Sequence, residues 1–153
     1  MKTRVEQRGP RTGVYATEPL PAGESVLALR GVAVEAPYRF SLQIAADLHL
    51  APLSEVADDY SAWCFVNHSC RPNCRADFGL MALIALRDIG PGEELSFNYC
   101  SCEYDMASPF SCDCGAPNCY KRISGFRHLS DRQKQDLSGL LAPHLLALAA
   151  VGV

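Results

Sequence analysis

The chain is short of aromatic side chains (8%, with a single Trp), short of positive charge, and free of long apolar runs. Each shortage excludes something. With 14 Lys and Arg against 17 Asp and Glu, the formal charge is −3, so no basic stripe of the kind that holds nucleic acid is expected, and nucleic acid is not an expected direct partner. A membrane span needs roughly 18 or more consecutive apolar residues. The Leu140–Val153 run falls short of that and is interrupted by Pro143 and His144, so no membrane partner is expected either. The opening MKTRVEQRGPRTG has no apolar segment, and a secretory leader is not expected.

Cysteine, by contrast, is plentiful: eight residues. With no export signal, eight thiols fit a reducing compartment, where they bind metal or stay free. The expected location is intracellular: cytoplasmic in a bacterium, nuclear or cytoplasmic in a eukaryote. A chain of 153 residues makes one domain with at most a small appended subdomain. It is long enough to take roughly 68–70% of its unfolded surface out of water.

Glycine and proline punctuate the first hundred residues at Gly9-Pro10, Pro19 to Gly23, Gly31, Pro37, Pro52, Pro72-Asn73, Gly79 and Gly90-Pro91-Gly92. The short runs between them, Ser25–Leu29, Tyr38–Ile44, Leu80–Leu86 and Glu94–Tyr99, read as strands, with one short helix expected within Ser54–Val66. Pro19–Glu24 and Ile89–Glu93 read as the same turn used twice. Near the end, Ser130-x-x-Gln133 is a capping box followed by Leu137, Leu140 and Leu141 at helical spacing, and Pro143 opens a second helical piece through Ala150. The expected fold is therefore mainly β with short helices and a helical C-terminal appendage serving packing rather than chemistry.

Cys112-x-Cys114-x4-Cys119 offers three thiolates within a turn favoured by Gly115 and Pro117. A structural zinc site takes four ligands, so a fourth sulfur must come from elsewhere. Cys70, Cys74, Cys100 and Cys102 are the candidates. Cys100-x-Cys102 with Cys112-x-Cys114 would make a different four-sulfur site.

Three motifs in order, Asn67-His68-Ser69-Cys70, Gly92-Glu93-Glu94-Leu95-Ser96-Phe97-Asn98-Tyr99 and the cysteine tail, resemble the SET-domain protein-lysine methyltransferases with a post-SET zinc segment. The resemblance covers roughly residues 3–126 and is strongest from 65 to 119. It implies a β-clip SET fold with knot-like threading, a SET domain over 3–102, a post-SET segment over 108–126 and a C-terminal helical appendage over 127–153. It implies S-adenosyl-L-methionine as methyl donor and one structural zinc ion held by Cys70, Cys112, Cys114 and Cys119. Tyr99 matches the catalytic tyrosine. Phe97 falls where phenylalanine tends to permit di- or trimethylation. Asn67 and His68 match cofactor contacts, as do Thr12 and Gly13 in Arg11-Thr12-Gly13-Val14-Tyr15-Ala16. Ile123 and Phe126 sit where a lid over adenine would be useful, with core packing an equal alternative.

The chemistry so implied has a plain requirement. A lysine ammonium, with a pKa near 10.4, cannot attack a methyl group, so the site must favour the neutral amine and align it. A phenol of pKa about 10 suits alignment better than proton abstraction. The alternative is a catalytically inactive, zinc-stabilised SET-like module that binds protein, and the departures from the family pattern at Arg11, Leu29, Val32 and Cys64 are its best support. With the first-half tyrosine replaced by Leu29, Tyr38 or Tyr60 is the candidate for an aromatic channel wall. Residues 40–70 carry Asp47, Glu55, Asp58 and Asp59, residues 88–120 carry Asp88, Glu93, Glu94, Glu103, Asp105 and Asp113, and neither stretch has Lys or Arg. The expectation is an acidic groove that attracts a lysine-containing, basic protein or peptide such as a histone or ribosomal-type tail.

Overall fold

Frequent turns leave room only for short strands. The computed structural model describes residues 1–56 and 60–151. In it the strands are β1 (Thr3–Arg8), β2 (Arg11–Ala16), β3 (Ser25–Ala28), β4 (Val32–Val34), β5 (Leu42–Ala45), β6 (Leu48–Ala51), β7 (Asn67–His68), β8 (Cys74–Asp77), β9 (Ala82–Ala85), β10 (Ser96–Phe97), β11 (Phe110–Ser111) and β12 (Arg122–Ile123). β1 and β2 form a hairpin closed at Gly9, whose φ of 60° suits glycine. Two three-stranded antiparallel sheets follow, in the orders β3-β9-β8 and β4-β6-β5. β11 pairs antiparallel with β12, whereas β7 and β10 pair in parallel.

The two similar turns are indeed alike, and they pair with each other. Pro21 to Glu24 and Gly90 to Glu93 each close with a backbone hydrogen bond of 3.1 Å, and the third residue of each is a glycine with φ of 84° and 81°. A type II turn needs that positive φ. Leu20 and Ile89, both fully buried, then exchange two backbone bonds of 2.9 Å.

The expected strands are shorter than the runs that announced them. Tyr38 to Ser41 form a turn in which Ser41 N–H donates to the Tyr38 carbonyl, so only Leu42 onward is strand. Met81 takes a left-handed φ of 49°, confining that strand to Ala82–Ala85. Glu93 and Leu95 turn instead to β2, with Ala16 N–H donating to Glu93 O and Leu95 N–H to Val14 O. The helix within Ser54–Val66 is a 3-10 turn over Ala62–Phe65; residues 57–59, including Asp58 and Asp59, lie outside the described residues.

Two buried clusters organise the interior. One gathers Val14, Leu20, Leu27, Trp63, Leu83, Ile89, Leu95 and Phe97. The other gathers Cys70, Cys100, Cys112, Tyr120, Ile123 and Phe126 with Leu137, Ala142 and Leu145 from the C-terminal segment. The Ser130 capping box forms and starts α1 (Asp131–Asp136), and Pro143 sits in the first turn of α2 (Pro143–Ala150). No helix among the described residues is long and apolar enough to cross a membrane.

Candidate active site and metal centre

Parallel pairing of β7 with β10 sets Asn67 opposite Ser96 and His68 opposite Phe97. The sequence-distant Asn67–Cys70 and Ser96–Tyr99 segments meet there at the wall of a cleft of about 820 Å³. A cleft of that volume falls in the range of small-molecule sites, roughly 300–1,000 Å³. Thr12, Tyr38, Cys64, Asn67, His68, Phe97, Tyr99 and Phe110 all line it.

Tyr99 opens a 3-10 turn (Tyr99–Ser101), and its hydroxyl donates to the Val66 carbonyl at 2.8 Å. Burial pushes the phenol well above its usual pKa, so it stays protonated. With its proton directed to Val66, the oxygen keeps its lone pairs to accept a hydrogen bond from the cleft. Around it stand Phe97, with ring centroids 4.9 Å apart, and His68 and Phe110, at 5.3 and 5.9 Å. His68 Nδ1 accepts from the Tyr99 backbone N–H at 3.1 Å, which leaves Nε2 to carry the ring proton, 3.2 Å from Cys70 Sγ. Burial lowers the imidazole to about 4, so it is neutral at ordinary pH.

Asn67 is fixed in its turn. Its Nδ2 donates to the Thr12 carbonyl at 2.9 Å and to Glu94 Oε1 at 2.7 Å. A Cβ on Gly13 would lie 2.5 Å from that same Glu94 oxygen and 3.2 Å from Asn67 Nδ2, so a larger residue there would have to displace the Glu94 carboxylate that holds Asn67. Thr12, Gly13 and Asn67 therefore meet. Arg11, one of the departures from the family pattern, forms an ion pair with Asp113 and so links this loop to the turn between Cys112 and Cys114.

The Sγ atoms of Cys70, Cys112, Cys114 and Cys119 all lie within 4.8 Å of one another. Four thiolates bound at about 2.3 Å around a tetrahedral ion have sulfurs roughly 3.8 Å apart, so the cluster is nearly preformed and its all-sulfur set suits a soft ion such as zinc. Burial raises Cys70 and Cys112. Cys114 moves the other way: burial opposes its ionisation, but backbone N–H groups of Cys70 and Ala116 and the neighbouring thiols favour it more. Cys74, Cys100 and Cys102 stay outside the cluster, almost fully buried, with thiols pushed up by burial to about 12, 11 and 12. None of the eight cysteines is in a disulfide.

Other expected residues fall elsewhere. Phe126 is 5% exposed in the second core cluster beside Cys70, with Lys134 Nζ 5.3 Å from its ring centroid, and it does not line the cleft. Ile123 is fully buried in the same cluster. Tyr38 lines the cleft, whereas Tyr60 stands outside it beneath the Arg30 guanidinium. The acids of residues 88–120 are largely engaged: Glu93 with Arg87, Asp105 with Arg127 and His128, Asp113 with Arg11, and Glu94 with Asn67. Sequence reasoning missed Phe110 and Arg39 in the cleft lining; an aromatic two residues before the cysteine tail was the available signal for the first.

A model of the SET domain matches residues 11–100, the stretch holding the Thr12–Gly13 loop, the β7–β10 pair and Tyr99. The chain belongs to the SET-domain family. It is 33% identical over 136 residues to methyltransferase flvH of Aspergillus flavus, covering 86% of this SET-domain chain and 70% of that protein. It is 48% identical over 67 residues to the H3 lysine-36 specific histone-lysine N-methyltransferase of Aspergillus oryzae, covering 40% of this chain but only 7% of that one. The crystal structure of KRYPTONITE in complex with mCHG DNA and SAH aligns with a TM-score of 0.58 at 26% identity, over 77% of this chain and 28% of that one. A second KRYPTONITE structure holds mCHH DNA, H3(1-15) peptide and SAH. The DNA and peptide are ligands of that protein, most of which lies outside the matched part.

Proposed function

We propose that this chain is an S-adenosyl-L-methionine-dependent methyltransferase acting on the ε-amine of a lysine in a basic protein or peptide, a histone or ribosomal-type tail. The observation that carries the reading is the protonated Tyr99 phenol, held by Val66 O in an aromatic cleft walled by Asn67, His68 and Phe97. The methyltransferase relatives and the SAH-bound KRYPTONITE structures agree with it. Thr12, Gly13, Asn67 and His68 would hold the cofactor, which supplies an electrophilic methyl on a sulfonium. Tyr99 Oη accepts a hydrogen bond from the amine and turns its lone pair toward the methyl; alignment of this kind can contribute several kcal/mol. Phe97 brings no hydroxyl to the cleft, so at that position nothing polar opposes an amine that already carries a methyl. That supports di- or trimethylation.

The same reading assigns zinc to Cys70, Cys112, Cys114 and Cys119 as a structural ion of a post-SET segment over 108–126, between a SET domain over 3–102 with knot-like threading and a helical appendage over 127–153. It places the protein inside the cell and needs no nucleic acid. Phe126 would enter the cofactor site only through a rearrangement of its core cluster.

The test is transfer of labelled methyl from S-adenosyl-L-methionine to core histones and to a lysate, wild type beside Tyr99→Phe. The phenylalanine variant is expected to fold and bind cofactor yet lose roughly ten- to a thousandfold in rate, the range of a positioned catalytic group. Near-wild-type turnover would remove Tyr99 from this role.

A further inference from the structure

We propose that Glu103 is the carboxylate that receives the substrate's ammonium in this cleft: a cation-recognising group beside Tyr99 whose second oxygen waits for an incoming N–H. The proposal rests on the methyltransferase reading and names the residue that selects an amine for that site.

Glu103 is fixed close to Tyr99, because its backbone N–H donates to the Tyr99 carbonyl at 2.8 Å as the 3-10 turn ends. Its side chain lines the same cleft and is 8% exposed. Oε1 accepts from the Gln43 backbone N–H of β5 at 2.8 Å. Oε2 accepts no hydrogen bond from the described residues, and no cation among them forms an ion pair with the carboxylate. This sets Glu103 apart from Glu93, Asp105 and Asp113, each engaged by an arginine at the exposed surface.

A nearly buried carboxylate with one hydrogen bond and no counter-charge is costly to keep, and a cation arriving in the cleft would relieve that cost. Tyr99 and, exposed in the turn before β5, Arg39 line the same cleft, the Tyr99 phenol and the protonated Cys100 and Cys102 thiols feel the Glu103 charge, and Gln43 of β5 donates to its carboxylate. Burial lifts its own carboxyl to about 7, closer to an amine than any ordinary carboxylate. The chemistry balances simply. An N–H bond of the ammonium breaks with its electron pair left on nitrogen, and an O–H bond forms at Oε2. The amine so freed keeps the lone pair it needs to attack, beside Tyr99 Oη, and the proton returns to solvent when the product leaves.

The test uses n-butylammonium, a surrogate for the lysine side chain, titrated by NMR into the S-adenosylhomocysteine-loaded protein, with n-butanol as the uncharged control. Glu103→Gln keeps an acceptor for the Gln43 N–H and the same volume, so fold and zinc content are expected to hold. Butylammonium affinity should fall at least tenfold while butanol binding is unchanged, and kcat/KM on core histones should fall in parallel. Butylammonium binding within twofold of wild type in the variant, or none in the wild type, would overturn the assignment. Glu103-dependent ammonium binding in a protein that methylates nothing would uphold Glu103 and sink the methyltransferase reading instead.

Discussion

At Tyr99 burial holds the phenol protonated, so on the proposed reading a single cause gives both the environment for a neutral amine and a hydrogen-bonding group to orient it. Glu103 meets the same burial with the opposite consequence, since its charged form is penalised. Its carboxyl titrates near 4.5 when unfolded and at about 7 when folded. Below pH 4.5 both states are protonated and nothing is lost. As pH rises to 7 the unfolded chain releases its proton first, so stability declines, by up to about 3 kcal/mol once the folded carboxyl is ionised. Glu103→Gln is therefore expected to raise the denaturation midpoint at pH 8 and leave it unchanged at pH 4. Equal midpoints at both values would show that this carboxyl carries no burial penalty. The motif residues Asn67, His68, Phe97 and Tyr99 were legible in the sequence because they stand in recognisable strings. Glu103 was legible only as one acid among six, since burial and the lack of an ion-pair partner among the described residues are properties of the folded chain.

Among the elements, β4 and β6 depend on Gly31. A Cβ there would overlap the Ala51 carbonyl oxygen and lie 2.9 Å from its carbon, so the edge strand can approach only as glycine allows. Gly31→Ala is expected to cost about 2–4 kcal/mol in chemical denaturation, the range of overpacked or strained sites; a change under 0.5 kcal/mol would mean the strand relaxes freely. The cysteine turn is the other element with a sharp test. Cys114→Ser breaks an all-sulfur set, and structural zinc contributes folding energy directly. Metal analysis should fall from one zinc per chain toward none, with a lower melting temperature. Unchanged stoichiometry would mean a different ligand set. The cysteine triplet was plain from its spacing, but which sulfur joins it depends on where Cys70 lies after the chain crosses at β7 and β10, a contact made over 42 to 49 residues of sequence.

Over the whole molecule, one buried cluster joins the metal site to the C-terminal helix: Leu145 of α2, fully buried, shares it with Cys70 and Cys112. The backbone reinforces the link, with Ala142 N–H donating to Ser101 O at 2.8 Å, only two residues past Tyr99. Leu145→Ala is expected to cost about 2–5 kcal/mol, as large-to-small core changes do, and to speed zinc release to a chelator. Loss of stability with unaltered release would show that helix and metal centre are energetically separate. By itself the sequence determined the short strands, the turn used twice, the Ser130 cap and the motif strings, because turn chemistry, capping and motif spacing act over a few residues. It overestimated strand lengths at Tyr38–Ile44 and Leu80–Leu86, where hydrophobicity cannot reveal a turn or a left-handed Met81. Only the tertiary structure decided which cysteine completes the cluster, that Phe126 lies in a core, and that most acids of residues 88–120 are already engaged while Glu103 has no ion-pair partner among the described residues. Each of those outcomes depends on burial and on contacts between distant segments, and local sequence pattern specifies neither.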